Sequence, residues 1–184
     1  MNNNFNSHHR RSIRLKEYDY SFPGWYYITV CTKNFFHWFG KVKNDKMGHN
    51  QLGRIAIKYF EEIPKHFKNT EIDEFIIMPN HGHGIIIIND TKELKSNIKH
   101  NIVETRDRVS LRSFGKLETH SLSMIVNQYK GSVTRFAHKN GYDKFNWQPR
   151  FYEHIIRNDN DLRRIRTYIQ NNPLKWELDE YYKL

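Results

Sequence analysis

The stretch from Glu71 to Ile88 constrains the fold more than any other part of the chain. Glu71–Met78 and Gly84–Ile88 both have the composition of β-strands, and the Pro79-Asn80-His81-Gly82-His83 between them opens with turn chemistry before re-entering the second strand. Asn89-Asp90 then ends that strand. Two strands joined this closely make a sheet the element around which the remaining segments must pack.

Those segments alternate in period. Trp25–Thr32 and Phe35–Val42 are rich in aromatic and β-branched residues, and the turn-like Lys33-Asn34 between them predicts a hairpin. Leu52, Ile55, Ala56, Tyr59, Phe60 and Ile63 fall at helical spacing, with Pro64 marking where that helix stops or turns. Ser121 is placed to cap a second helix whose buried stripe is Leu122, Ile125, Val126, Tyr129 and Val133, with Gly141 beyond its end. Trp147–Arg157 suits a short strand, and Asn158 or Asp159 can cap a last helix that runs to about Asn172 before Pro173. The order suits an antiparallel sheet with helices packed against it, an α+β architecture.

Length and charge bound what such a fold can do. The 184 residues, 38% hydrophobic and 15% aromatic, suffice for one substantial core and predict a single domain. Residues 1–24 read as a basic N-terminal arm, 25–184 as the domain proper, and the charged, aperiodic stretch near 91–117 as a flexible insertion. Thirty Lys and Arg against twenty Asp and Glu leave a formal charge of +10, which favours a polyanionic partner, nucleic acid first. The single cysteine, Cys31, excludes an intramolecular disulfide and fits a reducing compartment. With no apolar stretch behind the polar amino terminus and no aliphatic run longer than Ile85–Ile88, the expected location is cytoplasmic.

Chemistry concentrates in two places. If His81-Gly82-His83 is already extended, alternation sends both imidazoles to one face of the sheet, roughly 6–7 Å apart along the strand, with Gly82 facing the other way. Two nitrogen ligands then converge on one ion, and the lack of cysteines or an acidic triad nearby favours an open geometry over a closed structural zinc site. Solvated or backbone-bonded histidines are the plainer alternative. On the last helix, Tyr168 and Asn172 share a face at the margin of the apolar stripe Leu162, Ile165 and Ile169, so a phenol and an amide point to one spot. Amphipathic packing with the hydroxyl in water would give the same pattern.

Three stretches carry a resemblance that decides between these readings. Met78-Pro79-Asn80-His81-Gly82-His83-Gly84, Trp147-Gln148-Pro149-Arg150-Phe151-Tyr152-Glu153-His154-Ile155-Ile156-Arg157 and Tyr168-Ile169-Gln170-Asn171-Asn172-Pro173 together resemble the REP-associated tyrosine transposases of bacteria, single-tyrosine HUH enzymes related to the insertion-sequence transposases that act on single strands. Arg10–Lys16 and Tyr129-Lys130-Gly131-Ser132 resemble the family as well, so the similarity spans nearly the whole chain. The resemblance implies a ferredoxin-like, RRM-like sheet bearing the histidines. It makes His81 and His83 metal ligands, Tyr168 the nucleophile, and Asn172 the amide that completes the metal site. A divalent ion, Mg²⁺ or Mn²⁺, is the implied cofactor. The implied reaction is nicking and rejoining of single-stranded DNA through a 5′-phosphotyrosine link, on hairpin-forming repeat DNA, and a homodimer is compatible with it. The chain departs from the family at Gly82, where a bulkier hydrophobic residue is common, so weaker packing behind the histidine strand is expected.

The residue chemistry agrees with these roles. Two imidazoles and an amide oxygen leave an ion open positions at which to polarise a phosphate. A phenol with an ordinary pKa near 10 needs a base or cationic stabilisation before it attacks. DNA holding is expected of Arg10, Arg11, Arg14 and Lys16 on the arm, together with Lys130, Arg135, Arg150 and Arg157. Two other classes make different predictions. A catalytically inactive nucleic-acid-binding module would be indifferent to Tyr168→Phe, and a metal-dependent hydrolase would cleave without a protein-linked product.

Overall fold

The computed structural model describes residues 22–90 and 121–182. The basic arm up to residue 21 and the insertion near 91–117 lie outside the described residues.

A four-stranded antiparallel sheet forms from β1 (Gly24–Cys31), β4 (Thr70–Ile77), β5 (His81–Ile88) and β6 (Tyr152–Ile156), in the order β4-β5-β1-β6. Between β1 and β4 run α1 (Gln51–Glu61) and the single turn α2 (Ile63–His66), and between β5 and β6 runs α3 (Leu122–Lys139). The resulting βαββαβ order is the ferredoxin-like arrangement the sequence implies. A further helix, α4 (Asp159–Asn171), follows β6. No helix among the described residues is long and apolar enough to cross a membrane.

Alternation along β5 divides the molecule into two packed layers. Ile86 and Ile88 join Tyr26, Ile28 and Val30 of β1 in the main core, against Leu52, Ala56 and Phe60 of α1 and Leu122, Ile125, Val126, Tyr129 and Val133 of α3. On the other face Tyr27 and Ile85 pack against Ile165 and Ile169 of α4. His81 and His83 occupy the same alternating positions as Ile85, so they share the α4 face. The helix caps follow the sequence: Asn50, Ser121 and Asn158 each accept from a backbone N–H three residues on. Pro64 sits at the start of α2, where its missing N–H costs nothing.

The expected first hairpin does not form. After β1 the chain enters a 3₁₀ turn at Lys33–Phe35, with Asn34 and Phe35 in the left-handed region. Phe39 is then fully buried in the core, and Gly40–Lys43 (β2) pairs with Lys46–His49 (β3) in a separate two-stranded sheet. The neighbours of β1 are instead β5 and β6. Burial of Phe39 is worth more than continued pairing, and alternation alone does not reveal it.

Gly82 also differs from its expected effect. A Cβ built there would lie 2.8 Å from Cδ1 of Ile77, so the space behind the strand is already filled by a neighbour on β4. The histidines it separates are 0% and 1% exposed, held firmly in place.

Candidate active site

Strand β5 presents the two imidazoles side by side, ring centroids 4.5 Å apart. Each ring is fixed through Nδ1. His81 Nδ1 lies 2.8 Å from Oδ1 of Asn80, whose amide is oriented because its Nδ2 donates to the carbonyls of Phe35 (3.1 Å) and Tyr181 (2.8 Å). An amide oxygen only accepts, so His81 Nδ1 carries the proton and Nε2 keeps its lone pair. His83 Nδ1 lies 2.8 Å from the Tyr27 hydroxyl and 2.9 Å from Oγ1 of Thr29, the residue directly opposite it on β1. Thr29 Oγ1 in turn donates to the Tyr27 oxygen at 3.3 Å. Burial, reinforced by His37, pushes the His81 pKa down to about 3. Burial first and His81 second hold His83 well below the usual imidazole range. Both rings are therefore neutral, the form that ligates a metal.

Helix α4 brings the remaining groups over this pair. Tyr168 is 40% exposed, and its hydroxyl lies 3.3 Å from His83 Nε2. Its ring meets that of His83 edge-on at 5.1 Å. Asn172, one turn on at the helix C-cap, is buried. Four sequence-predicted residues, His81, His83, Tyr168 and Asn172, thus converge. The phenol's pKa is raised by burial, with Tyr27 and Asp179 adding to the effect, so it stays protonated unless positive charge approaches.

Asp179 is a site residue that sequence reasoning missed. The chain reverses after Pro173 through a 3₁₀ turn at Trp176–Leu178, and the buried Trp176 ring settles 5.8 Å from His81. Asp179 Oδ2 then accepts from the Tyr168 hydroxyl at 3.2 Å and from Asn172 Nδ2 at 2.7 Å, while Oδ1 accepts from the Tyr181 N–H at 2.7 Å. Its carboxylate and the two histidine nitrogens all lie within 4.8 Å of one another. No local spacing signals this residue. Tyr27 and Thr29, also missed, did leave a trace in their i, i+2 placement on one face of a strand.

Two atoms test whether the cluster fits a metal. His81 Nε2 and Asn172 Oδ1 are buried acceptors without a hydrogen-bond partner. Leaving such groups unpaired costs about 1–3 kcal/mol each, a cost that a cation bound at the cluster would offset. The group whose ligand atoms lie together is His81, His83 and Asp179, with the Asn172 amide bonded to Asp179, and two imidazoles with one oxygen donor suit a divalent ion with open positions.

The basic residues of the sequence reading are dispersed. Lys130 Nζ donates to the carbonyls of Gln148 and Arg150, each at 2.8 Å, and burial lowers its pKa to about 8. Arg135 donates to Ser132 Oγ at 2.9 Å and lines a cavity of about 500 Å³ with Tyr59, His66 and Tyr129, between the helices on the face opposite the histidines. Arg150, at φ 65°, and Arg157, just past β6, are exposed. Arg10, Arg11, Arg14 and Lys16 lie outside the described residues.

No family model matches the chain. An uncharacterized protein of Haemophilus influenzae is 43% identical over 175 residues, covering 95% of this chain and 94% of its own length. A REP-associated tyrosine transposase solved bound to a REP hairpin superposes with a TM-score of 0.54 at 22% identity, over 92% of this chain and 76% of that one. At that identity the likeness is one of fold. The chain therefore belongs to one protein family with the Haemophilus influenzae protein, and it carries the fold of a REP-associated tyrosine transposase.

Proposed function

We propose that this protein is a transposase-like enzyme that nicks and rejoins single-stranded DNA, with Tyr168 as the nucleophile. The observation that carries the reading is the approach of the Tyr168 hydroxyl to within 3.3 Å of His83 Nε2, beside two buried acceptors, His81 Nε2 and Asn172 Oδ1, that have no partner. His81, His83 and Asn172 would hold a divalent ion, Mg²⁺ or Mn²⁺. Once bound, it supplies Lewis-acid polarisation of the scissile phosphate and lowers the cost of ionising the phenol.

This chain's own residues orient the reaction. Asn80 and the Tyr27–Thr29 pair fix the two rings through Nδ1. Tyr168 gives up its proton and its oxygen forms a bond to phosphorus, while the bond from phosphorus to the 3′ oxygen breaks and that oxygen leaves as a hydroxyl. The 5′-phosphotyrosine link keeps the phosphodiester's energy for rejoining, so no nucleotide cofactor is consumed. Hairpin-forming DNA is the expected substrate class, supported by the bound REP hairpin of the fold relative.

The test is a denaturation-resistant adduct between the protein and 3′-labelled hairpin DNA in Mn²⁺. Wild type should form it, Tyr168→Phe should lose it completely, and His81→Ala should reduce it at least a hundredfold. Cleavage that survives Tyr168→Phe without an adduct would point to a hydrolase. DNA binding with no cleavage by wild type would point to an inactive binding module.

A further inference from the structure

We infer that Asp179 is a positioning residue that sets which way the Asn172 amide faces and where the Tyr168 hydroxyl sits. The metal half of this inference rests on the proposed function; the orientation half does not.

Hydrogen-bond accounting gives Asp179 an orienting role distinct from its place among the groups within 4.8 Å of one another. Both of its oxygens are engaged, Oδ2 by Tyr168 and Asn172 and Oδ1 by the Tyr181 N–H. The acceptors of this cluster left without partners are His81 Nε2 and Asn172 Oδ1. A carboxylate offers no donor, so it can only receive the NH₂ end of Asn172, and this forces the amide oxygen to the opposite side. The same logic operates at His81, where the carbonyls of Phe35 and Tyr181 orient Asn80. Tyr181 belongs to both relays, through its carbonyl to Asn80 and its N–H to Asp179. The segment after Pro173 thereby fixes one group on each side of the cluster. Its own anchor is Trp176, 6% exposed, whose carbonyl accepts the Asp179 N–H at 3.1 Å.

Asp179→Asn and Asp179→Ala distinguish orientation from ligation. An asparagine at 179 still offers an oxygen to Asn172 Nδ2, whereas alanine offers nothing. Mn²⁺ affinity, read by electron paramagnetic resonance on the DNA-free full chain with His81→Ala as background, should fall about tenfold or more in Asp179→Ala and no more than a few-fold in Asp179→Asn. A similar, larger loss in both variants would overturn the inference and make Asp179 a ligand. Unchanged affinity in both would overturn it as well.

A metal-free readout accompanies this one. The side-chain NH₂ signals of Asn172, assigned by their disappearance in Asn172→Asp, should be slow to exchange in wild type and Asp179→Asn and become fast in Asp179→Ala. Signals indifferent to Asp179→Ala overturn the orientation. If the signals respond while wild type binds no Mn²⁺, the orientation stands and the metal reading of the proposed function falls.

Discussion

Neutral, buried histidines are expensive to keep, and the cost has a pH signature. His81, pushed down to about 3, and His83, also depressed, regain an ordinary pKa near 6.5 when the chain unfolds. Below that value the unfolded chain takes up protons that the fold refuses. Stability therefore falls as pH drops from about 6.5 towards 3, by up to about 1.4 kcal/mol per pH unit for each ring, and is fully present above pH 6.5. Thermal melts with a chelator should show a midpoint that declines over this window, and His81→Gln should flatten the decline. Coincident profiles would mean that the ring is charged in the fold. The shared face of these two histidines, and that of Tyr168 and Asn172, was legible because each pair sits within one element, at i, i+2 on a strand or i, i+4 on a helix, while their expected roles came from the resemblance. Thr29 left only its shared strand face with Tyr27, since its place opposite His83 is set by register, and Asp179 left nothing, since the reversal after Pro173 brings it in. Tertiary contacts of that kind leave no local period.

At the scale of elements, the helix carrying Tyr168 is fastened to the edge strand of the sheet. The register of β4 against β5 shifts between Ile72 and Phe75, and the irregularity frees Asp73 and Glu74 to face α4. Arg166 grips Asp73 with two bonds, Nε at 2.8 Å and a terminal nitrogen at 2.6 Å, and Gln170 donates to Glu74 at 2.8 Å. Partly exposed pairs of this kind contribute about 1 kcal/mol at most to global stability. Arg166→Ala should therefore barely move the melting temperature while hydrogen exchange across 159–171 accelerates; equal protection in both proteins would remove the clamp. Behind the histidines the constraint is tighter. A Cβ at Gly84 would lie 2.3 Å from the Phe60 ring, so Gly84→Ala should destabilise by about 1–3 kcal/mol in urea. Gly131 in mid-α3 meets only the flexible end of Arg135, at 3.3 Å, and Gly131→Ala should stabilise by up to about 1 kcal/mol. The helices, their caps and the β4–β5 pair were readable from period and turn chemistry. The hairpin expected after β1 failed because the value of burying Phe39 depends on α1 and α3, which alternation within 25–42 does not report.

Over the whole molecule, the net charge of +10 means that the DNA affinity expected of the proposed function should depend on salt. For single strands, log K falls with log salt by about 0.7 for each phosphate neutralised. The sequence up to residue 21 holds Arg10, Arg11, Arg14 and Lys16, and deleting residues 1–21 should flatten that slope by up to about 3 if all four meet phosphates. Lys130 should behave differently. Its ammonium is partly buried and already holds two carbonyls of the loop before β6. Lys130→Met should consequently cost folding stability, seen in a urea titration, and change the salt slope by much less than Arg157→Met, whose side chain is exposed. A slope indifferent to the arm, measured by fluorescence anisotropy between 50 and 200 mM salt, roughly the range over which counterion release dominates, would assign phosphate binding to the folded domain alone.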